Sequence, residues 1–323
     1  MQAVLVREGA VLSYETVADP EPKPGEAVVE LKAAAVNRRD LLVRQGVYPF
    51  PLPLIPGSDG AGVRRDTGEQ VVILPSLNWG PSEAAASEEF EILGGPRNGT
   101  YAELVAIPAG NLYPKPPQFS WEEASAFPLA ALTAYRALFA RGRLAAGETV
   151  LVLGAGSGVS TFAVQLAAQA GVRVLVTSSS QEKIDRAIEL GAEAGFLYTE
   201  GDWAEEVRAA TGGRGVDLAL DSVGSTWPDS LRAAARGGRV VVFGGTGGTE
   251  VQLQVRPVYL QWLSLLGTTM GSPDDFAALL RMLHDATWRP VLDSVRPLAE
   301  VAAAQARLES EADKFGKLVL TCG

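Results

Sequence analysis

The chain has 323 residues, of which 47% are hydrophobic and 20% are charged, and its formal net charge is -10. This length exceeds the size at which one hydrophobic core usually stops growing, so we expect two domains. The acidic balance argues against a nucleic-acid partner, because phosphate binding needs a basic surface. One cysteine, Cys322, excludes intrachain disulfides and a cysteine-rich zinc motif. We find no signal peptide and no stretch of membrane-spanning length, and therefore expect a cytoplasmic protein without a membrane partner.

Residues 1–128 contain short β-type runs separated by Pro and Gly, which predict an irregular β domain. Within them, residues 78–99 have little periodicity, and we expect a long acidic excursion on the surface. In residues 129–270, helical patterns alternate with apolar strands, which predicts parallel strands joined by helical crossovers. Residues 271–323 add two helices and the final strand KLVLTC.

The segment ETVLVLGAGSGVSTF runs from strand through a glycine-rich turn into a helix, which is the order that a pyrophosphate site requires. Glycines let backbone N–H groups approach phosphates, and the helix N-terminus favours negative charge. The spacing departs from GxGxxG, because the third position falls on Val159 or Thr161. The context of a second strand about twenty residues later supports the assignment. The predicted turn comprises Gly154, Gly156, Ser157, Gly158 and Val159.

The end of that second strand carries Ser178, Ser179 and Ser180, followed by Lys183. An acidic residue there would bind the ribose 2′-hydroxyl of NAD, whereas hydroxyls and a cation favour a 2′-phosphate. The sequence therefore predicts NADPH rather than NADH. Alternatively, the serines cap the helix that starts at Gln181, and Lys183 is a solvated surface residue.

Eight segments, in order, resemble the medium-chain dehydrogenase/reductase superfamily, most closely its zinc-free quinone oxidoreductase and zinc-type alcohol dehydrogenase-like branch. The resemblance covers nearly the whole chain. It implies an α/β fold with a Rossmann doubly wound parallel sheet in residues 129–270 and a discontinuous GroES-like β domain in residues 1–128 and 271–323, with hydride transfer between them. The segments are AAAVNRRDLLVRQGVYP, LIPGSDGAGV, NGTYAELVAIP, AFPLAALTAYRAL, VLGAGSGVS, GGRVVVFGG, LGTTMGS and FGKLVL.

The family pattern of the zinc alcohol dehydrogenases places Cys, His and Cys where Asn37, Ser58 and Leu129 stand here. None of these three is a catalytic zinc ligand, and a four-cysteine structural lobe is missing too. The resemblance therefore implies an enzyme without zinc. Loss of a Lewis acid disfavours plain alcohol dehydrogenation and favours hydride transfer to a quinone or an α,β-unsaturated carbonyl.

The resemblance places three polar residues in the substrate cleft, and each has a second interpretation. Tyr48, in GVYP, resembles the proposed proton-donating tyrosine of enoyl thioester reductases, or it is an aromatic wall. Asn37 donates its amide to the substrate oxygen, or it is a turn residue that bonds its own backbone. Asp40 orients its neighbours or binds a ribose hydroxyl, or it caps the helix before LLVRQG, and we favour the structural role.

The resemblance also supplies candidates for cofactor binding. Thr133 matches a position beside the nicotinamide carboxamide, although a Thr in a helix also bonds back to its own helix. Gly244, Gly245 and Gly267 end apolar strands at the carboxyl edge of the sheet, where ligands bind, although ordinary turns use glycine as well. Lys317, in FGKLVL, resembles a basic residue that reaches the pyrophosphate, and is otherwise expected to be exposed.

Three rival functions stay open, of which one, a zinc alcohol dehydrogenase, would contain bound metal. An enoyl thioester reductase would need a basic mouth for coenzyme A, which the net charge of -10 disfavours. A non-catalytic, crystallin-like NADPH-binding protein would keep the fold without turnover. The partner is a small-molecule substrate in the leading interpretation. Relatives commonly dimerise through edge strands, and the apolar run LQWLSLLGTTMG predicts a homodimer.

Overall fold

The computed structural model describes residues 1–310 and 313–323. The chain forms two compact units: residues 1–130 with 272–323, and residues 131–271. The helices of the described residues include none that is both long and apolar enough to cross a bilayer.

The strands are β1 (Gln2–Arg7), β2 (Val11–Thr16), β3 (Glu26–Val36), β4 (Asp59–Arg64), β5 (Gln70–Ile73), β6 (Ser76–Leu77), β7 (Glu91–Ile92), β8 (Leu104–Pro108), β9 (Leu112–Pro114), β10 (Thr149–Val152), β11 (Arg173–Ser178), β12 (Ala194–Leu197), β13 (Val216–Asp221), β14 (Ala234–Val242), β15 (Ser264–Gly267), β16 (Leu292–Pro297) and β17 (Lys317–Thr321). The helices are α1 (Arg38–Arg44), α2 (Trp121–Ala126), α3 (Pro128–Tyr135), α4 (Gly158–Gln169), α5 (Gln181–Glu189), α6 (Trp203–Ala210), α7 (Trp227–Ala233), α8 (Val255–Leu260), α9 (Pro273–His284) and α10 (Val301–Ser310). A π-helical turn, Arg136–Arg141, continues α3.

The first unit is built on a seven-stranded sheet in the order β16-β17-β3-β4-β5-β9, with β8 also paired to β3. The long strand β3 is its centre, because β17, β4 and β8 all pair with it antiparallel. Ala35 lies opposite Asp59, and Val36 lies opposite Leu318. This register brings the end of β3 and the beginnings of β4 and β17 to one end of the sheet.

The second unit contains a six-stranded sheet in the order β12-β11-β10-β13-β14-β15, and every pair in it is parallel. Its central strands β10, β11 and β13 are largely buried and mostly apolar, as expected for strands covered on both faces. The order 3-2-1-4-5-6 is that of a doubly wound dinucleotide-binding fold, with the switch point between β10 and β13. The predicted α/β fold class with a parallel sheet is confirmed.

The excursion at residues 78–99 is not wholly on the surface, contrary to our expectation. Its short strand β7 pairs with β6, and both Trp79 and Leu93 are buried. The Trp79 ring packs edge-on against Phe90 with centroids 5.3 Å apart. The segment has no regular period because isolated apolar side chains, rather than one face of a helix or strand, anchor it.

Candidate catalytic and cofactor sites

A cluster of buried polar side chains occupies the end of the first unit's sheet. The Nζ of Lys317 donates to Asn37 Oδ1 at 2.5 Å, to Asp59 Oδ2 at 3.0 Å and to the carbonyl oxygen of Val36 at 3.1 Å. Asp59 is fully buried, and the Lys317 side chain is 3% exposed. Because an ammonium group has three donors, all the donors of Lys317 are used inside this unit.

Asp59 also bonds Asn37 directly and connects this cluster to two further segments. Its Oδ2 also accepts from Asn37 Nδ2 at 2.9 Å, and its Oδ1 accepts from the backbone N–H of Leu129 at 2.6 Å. The Thr100 hydroxyl donates to the backbone carbonyl oxygen of Asp59. Burial raises the pKa of the Asp59 carboxyl, and the adjacent Lys317 ammonium opposes that rise. The carboxylate thus has a compensating charge and hydrogen bonds at both oxygens.

Asp40 is a second fully buried carboxyl group, in the first turn of α1. Its Oδ2 accepts from the backbone N–H of Asn37 at 2.8 Å and from the Tyr101 hydroxyl at 2.7 Å. Burial raises the pKa of Asp40 to about 6, although both hydrogen bonds and the nearby charges of Arg39 and Lys317 act in the opposite direction. Asp40 therefore caps α1 and holds Tyr101, in agreement with the structural interpretation of this residue.

Tyr48 lies on the loop after α1 and is 42% exposed. Its ring stacks on Phe50 with centroids 6.2 Å apart, and the Arg39 guanidinium lies 5.8 Å from the ring centroid. Arg39 is anchored by the carbonyl oxygen of Gly95, to which its Nη2 donates at 2.8 Å. The ring is thus held from two sides, while the Tyr48 hydroxyl makes no hydrogen bond to the part of the chain that the structure describes. Tyr48 also lines a cavity of about 290 Å³ beside the end of α1.

The glycine-rich turn of the second unit has the local geometry of a phosphate cradle. Gly154 and Gly156 adopt positive φ angles of 71° and 102°, which L side chains rarely adopt. The Ser157 side chain caps α4 by accepting from the backbone N–H of Ser160 at 3.1 Å. Gly158 and Val159 form the first turn of α4. The N-terminus of a twelve-residue helix therefore lies directly after the turn, an arrangement that favours a bound anion.

The neighbouring strand β11 ends at Ser178, which is buried, whereas Ser179 is exposed and Lys183 is partly exposed in α5. Ser180 is the N-cap residue of α5, yet its side chain makes no capping hydrogen bond. In the alternative in which these serines cap the helix, Ser180 has the position of a cap but lacks the side-chain hydrogen bond that defines one. The strand end itself carries no acidic side chain.

The remaining cofactor candidates also lie in the second unit. Gly244 and Gly245 are exposed just after β14, and Gly267 is the last residue of β15, so all three lie at the carboxyl edge of the sheet. Thr133 is buried within α3. Sequence reasoning missed Asp221, a fully buried carboxylate at the carboxyl end of β13. The sequence signal that could have identified Asp221 is an aspartate at the end of the apolar run DLALD.

Comparisons with known proteins agree with this architecture. A family model described as alcohol dehydrogenase GroES-like domain matches residues 23–117, and one described as zinc-binding dehydrogenase matches residues 158–285. A zinc-type alcohol dehydrogenase-like protein of Schizosaccharomyces pombe is 35% identical over 319 residues, which cover 92% of this chain and 91% of that protein. The chain belongs to the medium-chain dehydrogenase/reductase superfamily.

Two further proteins are similar to this medium-chain oxidoreductase over most of their length. The quinone oxidoreductase of Rattus norvegicus is 28% identical over 308 residues, covering 93% of this chain and 90% of that protein. The crystal structure of an NAD-dependent alcohol dehydrogenase is 40% identical, covers 100% of both chains and superposes with a TM-score of 0.94.

The residues at the family's catalytic zinc positions do not fit a zinc ion. Asn37 bonds to Asp59 and Lys317, the Ser58 hydroxyl donates to the carbonyl oxygen of Leu93 at 2.7 Å, and Leu129 offers an aliphatic side chain. Zinc sites in proteins use thiolate, imidazole and carboxylate ligands. Among residues 1–310 and 313–323, no group of three or more His, Cys, Asp or Glu side chains could hold a metal ion.

Two expectations for this oxidoreductase need revision. Lys317 is buried rather than exposed, and its ammonium is committed to Asn37, Asp59 and Val36, which argues against the expected contact with a pyrophosphate. The two amide hydrogens of Asn37 are directed to Asp59 and, at 3.4 Å, to the carbonyl oxygen of Ala35, so neither is left for a substrate oxygen. Both residues are better described as positioning residues.

We expect Lys317→Met to lower the free energy of unfolding by about 3–5 kcal/mol, because Asp59 would remain buried without its counter-ion. Urea unfolding measures this change. The matched control is Arg173→Met, which removes a partly exposed ion pair with Glu193 and should cost less than about 1 kcal/mol. Unchanged stability together with weakened NADPH binding would instead support the pyrophosphate role.

The pKa of Asp40 predicts a stability that depends on pH. The folded protein holds this proton more tightly than the unfolded chain, so the free energy of unfolding falls as pH rises from 3.8 through about 6. Asp40→Asn lacks this titration. Relative to the wild type, it should gain about 1 kcal/mol of stability between pH 5 and pH 7.5. A difference that stays constant over this range, measured by urea unfolding, would contradict the assignment.

Proposed function

We propose that this protein is an NADPH-dependent, zinc-independent reductase that transfers hydride to a quinone or an α,β-unsaturated carbonyl compound. The observation that carries the proposal is the Asn37–Asp59–Lys317 cluster. It commits Asn37, which stands at one of the family's zinc positions, to hydrogen bonds with the buried ion pair of Asp59 and Lys317. Without a Lewis acid to polarise a simple carbonyl, an acceptor that spreads its developing negative charge by conjugation is the better substrate.

NADPH supplies the hydride when it is bound. Tyr48 is our candidate for the proton donor, because its hydroxyl is accessible and its ring is held by Phe50 and Arg39. Asn37 and Asp40 act by positioning, since Asp40 fixes the start of α1 through the backbone N–H of Asn37. A phenol is a reasonable donor to an enolate oxygen.

The test is consumption of NADPH by purified protein in the presence of phenanthrenequinone or of a series of alkenals. We expect turnover with at least one of these acceptors. Tyr48→Phe should then lower kcat at least tenfold for an enal, because its enolate lacks the proton donor. A small change in kcat with a raised KM would make Tyr48 a wall of the pocket. NADPH binding without turnover across the series would identify a non-catalytic binding protein.

An NAD-dependent alcohol dehydrogenase is the second candidate, and the 40% identity to a protein of that description favours it. The two candidates differ in cofactor and in the direction of the assay. Oxidation of primary or secondary alcohols with NAD, at a rate exceeding that of quinone reduction with NADPH, would support the second candidate over the first.

The preference for NADPH rests on the end of β11, where Ser179 is exposed, Lys183 follows in α5 and the strand end has no acidic side chain. Ser179→Asp places a carboxylate where a 2′-phosphate is expected, so repulsion should lower kcat/KM for NADPH relative to NADH at least tenfold, or about 1.4 kcal/mol. Ser179→Ala is the matched control, because it removes the hydroxyl without adding charge. An unchanged ratio in Ser179→Asp would place the adenosine ribose elsewhere.

We also propose a homodimer formed through β15. This strand pairs with β14 alone within the described residues. Exposed apolar side chains lie on it, at Leu265, and in the segment just before it, at Tyr259 and Trp262. An uncovered apolar edge strand is a liability in a monomer. Sedimentation velocity at micromolar concentration should show a dimer that Leu265→Arg dissociates. A wild-type monomer would reject this proposal.

A further inference from the structure

Asp221 ends β13 and organises the loop that follows it. Its Oδ1 accepts from the backbone N–H groups of Val223 at 2.9 Å and Gly224 at 3.1 Å. Its Oδ2 accepts from the hydroxyls of Thr226 and Ser230, both at 2.7 Å. An ionised carboxylate has about four acceptor positions, so this fully buried group is saturated. All four donors come from the loop and the first turn of α7.

The loop after β14 is bonded to the loop that Asp221 shapes. The backbone N–H of Gly247 donates to the carbonyl oxygen of Val223 at 2.7 Å, and that of Thr246 donates to Ser222 at 3.2 Å. We call residues 222–226 and 243–248 the paired loops. The second loop is held by hydrogen bonds to the backbone of the first, and Asp221 holds the first. Asp221 therefore determines the position of both loops.

Close packing makes the paired loops one body. A side chain at Gly224 would collide with the backbone oxygen of Gly248, and one at Gly247 would lie 2.7 Å from a methyl group of Val223. The outer surface of the second loop is open, because residues 244–247 are all exposed. The second of the paired loops thus has an open outer surface on a closely packed support.

The paired loops lie beside the switch point of the sheet. Strand β13 is the neighbour of β10, whose carboxyl end leads into the glycine-rich turn, and the backbone N–H of Leu153 donates to Leu220 at 3.1 Å. Ligands of doubly wound sheets bind outside the carboxyl ends of the strands on both sides of this point. With pyrophosphate at the glycine-rich turn and the adenosine ribose at β11, the other half of the dinucleotide extends over β13 and β14.

We propose that Asp221 is a positioning residue for the paired loops, which lie at the carboxyl edge of the sheet where doubly wound folds bind a dinucleotide, and that affinity for the nicotinamide half depends on it. This inference rests on the proposed function, because it requires a nicotinamide cofactor. Asp221 itself touches no cofactor in this account. It acts by directing the backbone of the loops that do.

The inference predicts a selective loss of affinity. In Asp221→Asn, the amide nitrogen can no longer accept, so two of the four donors must reorient, and the negative charge that strengthens all four hydrogen bonds is lost. The paired loops therefore lose part of their support. The dissociation constant of NADPH should rise at least tenfold. That of adenosine 2′,5′-bisphosphate, which occupies the β11 side alone, should change less than twofold. A defect in the sheet as a whole would weaken both ligands together.

The matched control is Asp217→Asn, at the opposite end of the same strand, where the carboxylate accepts from the backbone N–H of Thr149 and from Arg214. It should leave both dissociation constants unchanged. Ser230→Ala removes one donor to Asp221 and serves as a milder variant if Asp221→Asn does not fold. In that variant the NADPH constant should rise by a smaller factor, again without a change for the bisphosphate.

Calorimetric titration of the full-length wild type and the three variants gives these constants. Hydrogen exchange of the paired loops, which needs no cofactor, should accelerate in Asp221→Asn and not in Asp217→Asn. Equal NADPH affinity in wild type and Asp221→Asn, or equal losses for both ligands, would overturn the role of Asp221 alone. A wild-type protein that binds neither NADPH nor NADH would overturn the proposed function and this inference with it.

Discussion

The buried contact between Lys317 and Asp59 is the interaction on which the first unit depends. It joins the beginning of β17 to the beginning of β4, and through Asn37 it reaches the end of β3 and the cap of α1. Two charges removed from water are tolerated because they neutralise each other and their remaining hydrogen-bonding capacity is filled. The loop that carries Tyr48 continues from that same helix. The position of this candidate proton donor therefore depends on the contact between Lys317 and Asp59, in which Tyr48 takes no part.

Each unit solves the same problem of a buried carboxylate in a different way. In the first, Asp59 is compensated by a full charge, and Asp40 is held by a phenol and a backbone N–H at a raised pKa. In the second, Asp221 is compensated by neutral donors from one loop and one helix. The first arrangement links strands distant in sequence, whereas the second shapes a local loop. The two sets of groups therefore serve different parts of the proposed reaction.

Local patterns were enough to predict the parallel sheet and its crossover helices, because apolar strands and amphipathic helices such as α5 repeat with clear periods. The glycine-rich turn was predictable because it lies between one such strand and one such helix. The role of Lys317 was not, since its partners Asn37 and Asp59 lie 280 and 258 residues away. No local hydrophobic period in the sequence shows which distant strands pair or in which register. The burial of Trp79 and Leu93 escaped prediction because isolated anchors in an irregular segment leave no repeating signal.

The central claim is that hydride transfer proceeds here without a metal ion, and metal content measured beside turnover tests it most directly. The account predicts that protein dialysed against a strong chelator, with less than about one zinc ion per ten chains, retains full NADPH-dependent reduction of phenanthrenequinone, and that added zinc does not raise the rate. Activity that disappears with the metal and returns in proportion to added zinc would contradict it.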